Sequence, residues 1–264
     1  MSRGSALLLA FGASLLVACS ADPPPDAVAI PSASARPTAR PDTDRRRTID
    51  LPLRRRAEGE SAVSFELAAP LEKQRARFTG EALQGVLYLD TEVLSSSRGD
   101  VSVDLARMRI ERQANGADAA DPSAWEESSK QNEHARQWLE IPPDAEPATI
   151  EKNRYAVLRV VGLTVNHEQR SAGVFQAAVT LSGTLAIHQR TKPVSVKGTL
   201  EILDSRRAPR VRFRSTEPLE VELAAFDVAP RDPVGKLIEG GLEKLAPKVA
   251  SRATVTVDVS FGAD

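Results

Sequence analysis

One cysteine, three histidines and eleven aromatic residues (seven Phe, two Trp, two Tyr) are all that the 264 residues hold of those types. A single thiol excludes a disulfide framework and any multi-thiolate zinc or iron–sulfur site. The 35 basic and 36 acidic side chains leave a formal net charge of −1. A nucleic-acid binder needs an excess of Lys and Arg to replace condensed counterions, so that class is excluded too. No Gly-x-Ser-x-Gly elbow, Gly-rich phosphate loop or His-Glu-x-x-His pair occurs, which removes the common signatures of hydrolases, nucleotide binders and zinc proteases. The expectation is a protein that is not an enzyme and carries no cofactor or metal. The length is enough to bury a real core in one large domain.

What is present begins with an address. Arg3 precedes an apolar run from Ala6 to Ala18. The run is too short for a bilayer span, which takes roughly 20 residues, and it reads as a secretory signal over residues 1–18. It ends in Leu16-Val17-Ala18-Cys19, which resembles the lipobox of bacterial lipoproteins. That resemblance implies that Cys19 is lipidated with palmitate-type acyl chains and becomes the first residue of the mature chain. Two or three acyl chains anchor stably where one binds marginally. Ser20, and not Asp, follows the cysteine, which by the same resemblance implies the outer membrane, with the rest of the chain facing the periplasm.

Residues 20–60 hold seven of the eighteen prolines, eight Arg, seven acidic residues and no aromatic. Such a segment buries too little apolar surface to offset its ordering entropy. Residues 19–60 therefore read as the lipidated Cys and a disordered Pro/Arg-rich tether, reaching roughly 35 Å root-mean-square.

From Ser61 to Asp264 the dominant period is two. Val63, Phe65 and Leu67 alternate with polar partners, as do Leu87 and Leu89, and then Val101, Val103 and Leu105. At Ala106-Arg107 the phase slips, and Met108 and Ile110 take the other parity, the mark of a bulge or a strand changing face. Further on, Val179, Leu181, Leu185 and Ile187 lie on one face, followed by Val194 and Val196, Leu200 and Ile202, Val211 and Phe213, Leu219, Val221 and Leu223, and finally Val255 to Phe261. Short separations between these runs predict antiparallel hairpins in an all-β sandwich or barrel. Two helices interrupt them. One is predicted over Ser123–Leu139, with Ser123 as N-cap and Pro142-Pro143 as the stop. The other is predicted over Pro233–Leu245, with one apolar face that suits a lid across a barrel end.

Four stretches in order resemble the YceI-like family of periplasmic proteins. They are Ser61-Ala62-Val63-Ser64-Phe65, then Arg77-Phe78-Thr79-Gly80 with Gly85-Val86-Leu87-Tyr88-Leu89-Asp90, then Asn132-Glu133-His134 with Trp138-Leu139. The last and most specific is Gly183-Thr184-Leu185-Ala186-Ile187-His188 with Thr191-Lys192-Pro193-Val194. The chain departs from the family at Ala135, in an insertion-like stretch over 112–124, and across 204–233. The resemblance implies a lipocalin-like antiparallel β-barrel of about eight or more strands with one or two short helices. It implies a polyisoprenoid or similar apolar lipid as ligand, with no nucleic acid as partner and the membrane reached only through acylated Cys19.

The candidate ligand-contacting residues are Phe65, Phe78, Leu87, Trp138, Leu185, Ile187 and His188, the histidine standing at the barrel mouth within reach of a headgroup. Lys192 and Pro193 are expected to fix the hairpin turn, since Pro sets its own φ and restricts the residue before it. Glu133 and His134 are adjacent on a helix and point about 100° apart, a poor geometry for a shared metal. His167-Glu168 reads as loop. Two rivals to a lipid carrier stand. An adaptor lipoprotein would have a filled barrel and a protein partner. An enzyme would need an acid, base or nucleophile in the cavity.

Overall fold

Two bent strands organise the architecture. In the computed structural model, which describes residues 48–53, 61–68, 72–90, 92–114, 121, 124–171, 174–203, 210–230 and 251–262, strand β3 (Glu72–Thr79) passes through a 3-10 turn at Gly80–Ala82 into β4 (Leu83–Asp90). Strand β5 (Arg98–Asp104) passes through a second 3-10 turn at Leu105–Arg107 into β6 (Ile110–Ala114). The arms pair antiparallel as one long bent hairpin, Leu83 opposite Val103 and Ala76 opposite Ile110. The phase slip at Ala106-Arg107 is thus a strand changing face through a turn.

The remaining strands are β1 (Thr48–Pro52), β2 (Ala62–Ala68), β7 (Glu126–Glu127), β8 (Tyr155–Ser171), β9 (Val174–Ile187), β10 (Arg190–Leu203), β11 (Arg210–Ser215), β12 (Leu219–Glu222) and β13 (Arg252–Phe261). Their hydrogen-bonded order, β1-β4-β5-β8-β9-β10-β11-β13-β2-β3-β6-β7, is an open path, with β12 on β13 beside it. Covalent continuity closes the circuit. β2 pairs β3, β3 becomes β4, and β4 leads through β5 to β8. Counting β3–β4 and β5–β6 once each, the circuit has eight strands: β2, β3–β4, β5–β6, β8, β9, β10, β11 and β13. All pairings are antiparallel, and the expected all-β, lipocalin-like class holds.

One part of the wall is split. β10 pairs β9 from Arg190 to Leu203, but β11 reaches only Gly198–Leu203, and β12 pairs β13 alone. Side chains fill the split instead. Leu185, Val221, Phe226 and Ala253 form a second core cluster with Val194, Leu223 and Val228 packed against it. Pro193 lies in the part of β10 that has a partner on one side only, opposite Thr184, where a residue without an N–H is tolerated. The turn itself is His188–Gln189, both at positive φ (47° and 61°) between Ile187 and Arg190. This is the backbone of a tight two-residue hairpin. Lys192 and Pro193 therefore belong to the strand, a correction to the sequence reading. Gly183 has a steric cause, because a Cβ there would collide with the Arg159 carbonyl on β8.

Three further expectations shift. The stretch read as tether includes β1, whose Leu51 is buried, followed by Leu53, also buried and donating to the Gly85 carbonyl of β4. A Leu-x-Leu pair buries enough to order an edge strand despite the prolines around it. The first helix is α1 (Ser129–Trp138), with Ser128 as the cap accepting from the Gln131 N–H at 3.3 Å. The residues before it form β7 on β6 instead of another helical turn. A second helix, α2 (Pro147–Asn153), opens on Pro at its first position. His167-Glu168 is strand, beside a register shift in β8. The predicted helix over 233–245 and Cys19 with its signal lie outside the described residues. No helix among the described residues is long and apolar enough to cross a membrane.

Candidate functional site

The alternation has a destination. Inward residues of β2 (Val63, Phe65, Leu67), β5 (Val101, Val103), β9 (Leu185, Ile187) and β13 (Ala253, Val255, Val257) surround a cavity of about 180 Å³. Phe78 on β3 joins them, its ring centroid 6.1 Å from that of Phe65. The 3-10 segment Leu223–Phe226 contributes Leu223 and Phe226, and α1 with its C-cap Leu139 contributes Gln131, His134, Ala135, Trp138 and Leu139. Those five stand at i, i+3, i+4, i+7 and i+8, one face of a helix.

The chemistry of the lining is nearly uniform. Gln74, Gln131 and His134 are its hydrogen-bonding exceptions apart from the Trp138 indole, and no Asp, Glu, Lys or Arg takes part among the described residues. Ion pairs are kept elsewhere. Arg154 grips buried Asp104 with Nε at 2.9 Å and Nη2 at 2.7 Å, at the bend from β5 into β6. The Asp104 hydrogen bond holds the guanidinium above its ordinary range, against the opposing effect of burial. On β3, Arg75 turns away from the cavity, bonding Glu111 at 2.6 Å and stacking 4.0 Å over Trp125. The volume, about six waters' worth at about 30 Å³ each, suits one slender chain segment and falls below the roughly 300–1,000 Å³ of compact small-molecule pockets.

Of the candidates read from sequence, Phe65, Phe78, Trp138, Leu185 and Ile187 line this cavity. Leu87 packs against the core on β4, outside the lining. His188 is buried in the β9–β10 turn, also outside the lining, with Nε2 3.2 Å from Glu140 Oε2 and Nδ1 3.7 Å from Asp227 Oδ2. A turn position at the strand end carries its ring toward α1 and the 3-10 segment, away from the bore. Among the lining residues that the sequence candidates did not include are Gln74, Gln131, Leu223, Phe226 and Val228. The helical spacing from Gln131 to Leu139 was the available signal, masked because two of its five inward positions are polar.

No protein-family model and no curated protein matches the chain. Among solved structures it is similar to BcnA of Burkholderia cenocepacia, with 12% identity and a TM-score of 0.42 over 76% of this chain and 95% of that one. It is also similar to two mutants of the CJ YCEI protein. One, with a monobromobimane guest structure, shows 9% identity and a TM-score of 0.37. The other, made for nanotechnology applications, shows 10% identity and 0.36. Each comparison covers 70% of this chain and 82% of the other. The architecture itself rests on the strand registers above.

Proposed function

We propose that this protein holds one extended apolar lipid chain in its barrel and carries or sequesters it in the periplasm, tethered to the outer membrane through acylated Cys19. The cavity carries the reading: inward faces of five or more strands and a helix converge on an unfilled space whose lining is almost wholly aliphatic and aromatic. Each CH₂ taken from water into such a space is worth about 0.8 kcal/mol, so a chain binds there without a strong polar anchor. The family resemblance supports a polyisoprenoid as the cargo. Binding without turnover fits a lining whose one titratable side chain among the described residues is His134. An open bore also disfavours the adaptor reading, which requires a filled one.

The test is mass spectrometry of an organic extract from residues 20–264, secreted behind a cleavable signal and purified without detergent. A stoichiometric prenyl-chain lipid, absent from an unrelated barrel treated in the same way, supports the carrier. A clean protein that also refuses added long-chain prenols sinks it.

A further inference from the structure

Apart from the Trp138 indole, the polar groups of the lining come from β3 and one face of α1. Gln74 stands on β3 and Gln131 in the first turn of α1, and both line the cavity. Each directs its Nε2 at the same atom, Glu72 Oε1, at 2.6 Å from Gln74 and 2.8 Å from Gln131. Glu72 is not part of the lining and sits behind both amides. A carboxylate accepts and cannot donate, so both amides must turn their NH₂ groups to it. The carbonyl oxygen of each amide, on a residue that lines the cavity, is thereby turned away from Glu72 and left to accept. His134, one turn along α1, adds a ring nitrogen that donates or accepts according to its tautomer.

We propose that Gln74 and Gln131, oriented by Glu72, form the headgroup end of the cavity and select a chain that ends in an uncharged hydroxyl over one ending in a carboxylate or phosphate. The inference rests on the reading that the cavity holds an apolar chain, and it adds the class of the head. A hydroxyl offers one proton and two lone pairs. It donates to a glutamine oxygen and accepts from His134. A carboxylate or phosphate at neutral pH brings acceptors to acceptors, beside the charge of Glu72, in a setting of low polarity where such repulsion is strong. Among the described residues no Lys or Arg lines the cavity to relieve it. Arg75 is on the other face of β3 with Glu111 and Trp125. Arg112, across the ladder from Gln74, is exposed, stands opposite Glu126 on its other side, and lies outside the lining.

The experiment uses residues 20–264 at pH 7.5. N-phenyl-1-naphthylamine, a neutral apolar probe, reports cavity occupancy, and 1-dodecanol, dodecanoate and dodecyl phosphate compete for it. The alcohol is expected to bind about tenfold more tightly than either anion, the scale of one or two net hydrogen bonds. Glu72→Gln removes the charge and no longer fixes which way the two amides turn, and it is expected to tighten both anions several-fold and to shrink the alcohol's advantage over them. Gln74→Leu with Gln131→Leu is expected to erase the preference and keep the probe, which also shows that the variant is folded. Equal affinity for the three heads, or a preference that Glu72→Gln leaves untouched, overturns the headgroup assignment and leaves the cavity reading standing. Failure of the probe and all three ligands to bind overturns both.

Discussion

His188 Nε2 lies 3.2 Å from Glu140 Oε2, and both residues hold their backbones at positive φ, 47° and 56°. Gln189 (61°) and Asp227 (56°) complete the non-glycine residues in that region among the described chain, and all four meet in one polar cluster. Gln189 Nε2 donates to the Asn153 Oδ1 at 2.9 Å, and Asn153 Nδ2 to Glu140 at 3.4 Å. Glu140 ends α1 in a Schellman motif, its N–H on the Gln137 carbonyl and that of Ile141 on the Arg136 carbonyl, a position where glycine is usual. Asp227 ends the 3-10 segment in the same way. A left-handed non-glycine residue costs on the order of 1–2 kcal/mol. A hydrogen bond to a charged group contributes about 1.5–3 kcal/mol. The side-chain bonds offset much of that strain and fasten the turn to the end of α1 and to α2.

That balance gives the first prediction. His188→Ala should lower the unfolding free energy by about 2–3 kcal/mol, and Glu140→Gly by less, because glycine relieves the left-handed backbone it inherits. The two changes should be non-additive by about 1 kcal/mol or more in a double-mutant cycle read by urea unfolding. Simple additivity would show that the 3.2 Å contact contributes nothing.

Asp258 supplies a pH dependence. Burial, the largest single influence on its carboxyl, pushes its pKa up, but the hydrogen bonds and charge of Arg212 (2.7 and 2.8 Å) and Arg214 (3.2 Å) outweigh that and hold it below the ordinary range. A carboxylate with a depressed folded-state pKa stabilises fully above its unfolded pKa, about 3.9, and loses that stabilisation as pH falls through the folded value. Stability should therefore decline below about pH 4, and Asp258→Asn should make that decline shallower while lowering stability at pH 7. Thermal unfolding from pH 2.5 to 7 reads both. An unchanged acid slope in the variant would remove Asp258 from the account.

How far the sequence reaches is visible at this same ladder. Val211 and Phe213 on β11 and Val257, Val259 and Phe261 on β13 show a period of two, and that period placed the strands. Four of the seven candidate ligand residues reach the cavity on strands, and Trp138 reaches it on α1. The period fails where local chemistry is overruled from a distance. Pro193 looks like a turn residue, yet it sits in β10 because no strand needs its N–H on the open side. His188 looks like a mouth residue, yet the Glu140 carboxylate, 48 positions away in sequence, bonds its ring at 3.2 Å in the wall. Gln131 looks like surface, because nothing in its neighbourhood announces Glu72, 59 residues earlier.

Asp104 sits where β5 bends into β6, so the bend that closes the barrel depends on an ion pair. Its side chain is 4% exposed, and besides Arg154 it accepts the Ala106 N–H at 3.1 Å. Removing one partner of a buried pair costs about 3–5 kcal/mol, whereas an exposed pair contributes under about 1 kcal/mol. Arg154 keeps a third of its side chain in solvent and can be partly rehydrated. Asp104→Ala should therefore cost about 3 kcal/mol, near the lower end of that range. Lys197→Ala, which breaks a pair exposed by 61% and 63%, should cost less than about 0.5 kcal/mol. Equal losses in urea unfolding would mean that the bend is held by packing alone.

The cavity itself can be tested by filling it. Ala156 and Ala253 line it from β8 and β13, while Ala177 on β9 is buried in the core outside the lining. Adding three carbons where space exists costs little, and adding them to close-packed core costs about 1–3 kcal/mol. Ala156→Leu and Ala253→Leu should each weaken N-phenyl-1-naphthylamine binding about tenfold or more and leave the melting temperature within a few degrees of the parent. Ala177→Leu should do the reverse, lowering the melting temperature by about 4 °C or more, scaled from 1–3 kcal/mol for a domain of this size, with the probe still bound below the transition. The two patterns separate a space that takes a ligand from a core that merely packs loosely. If all three substitutions destabilise alike and none affects the probe, the ligand sits elsewhere on the molecule.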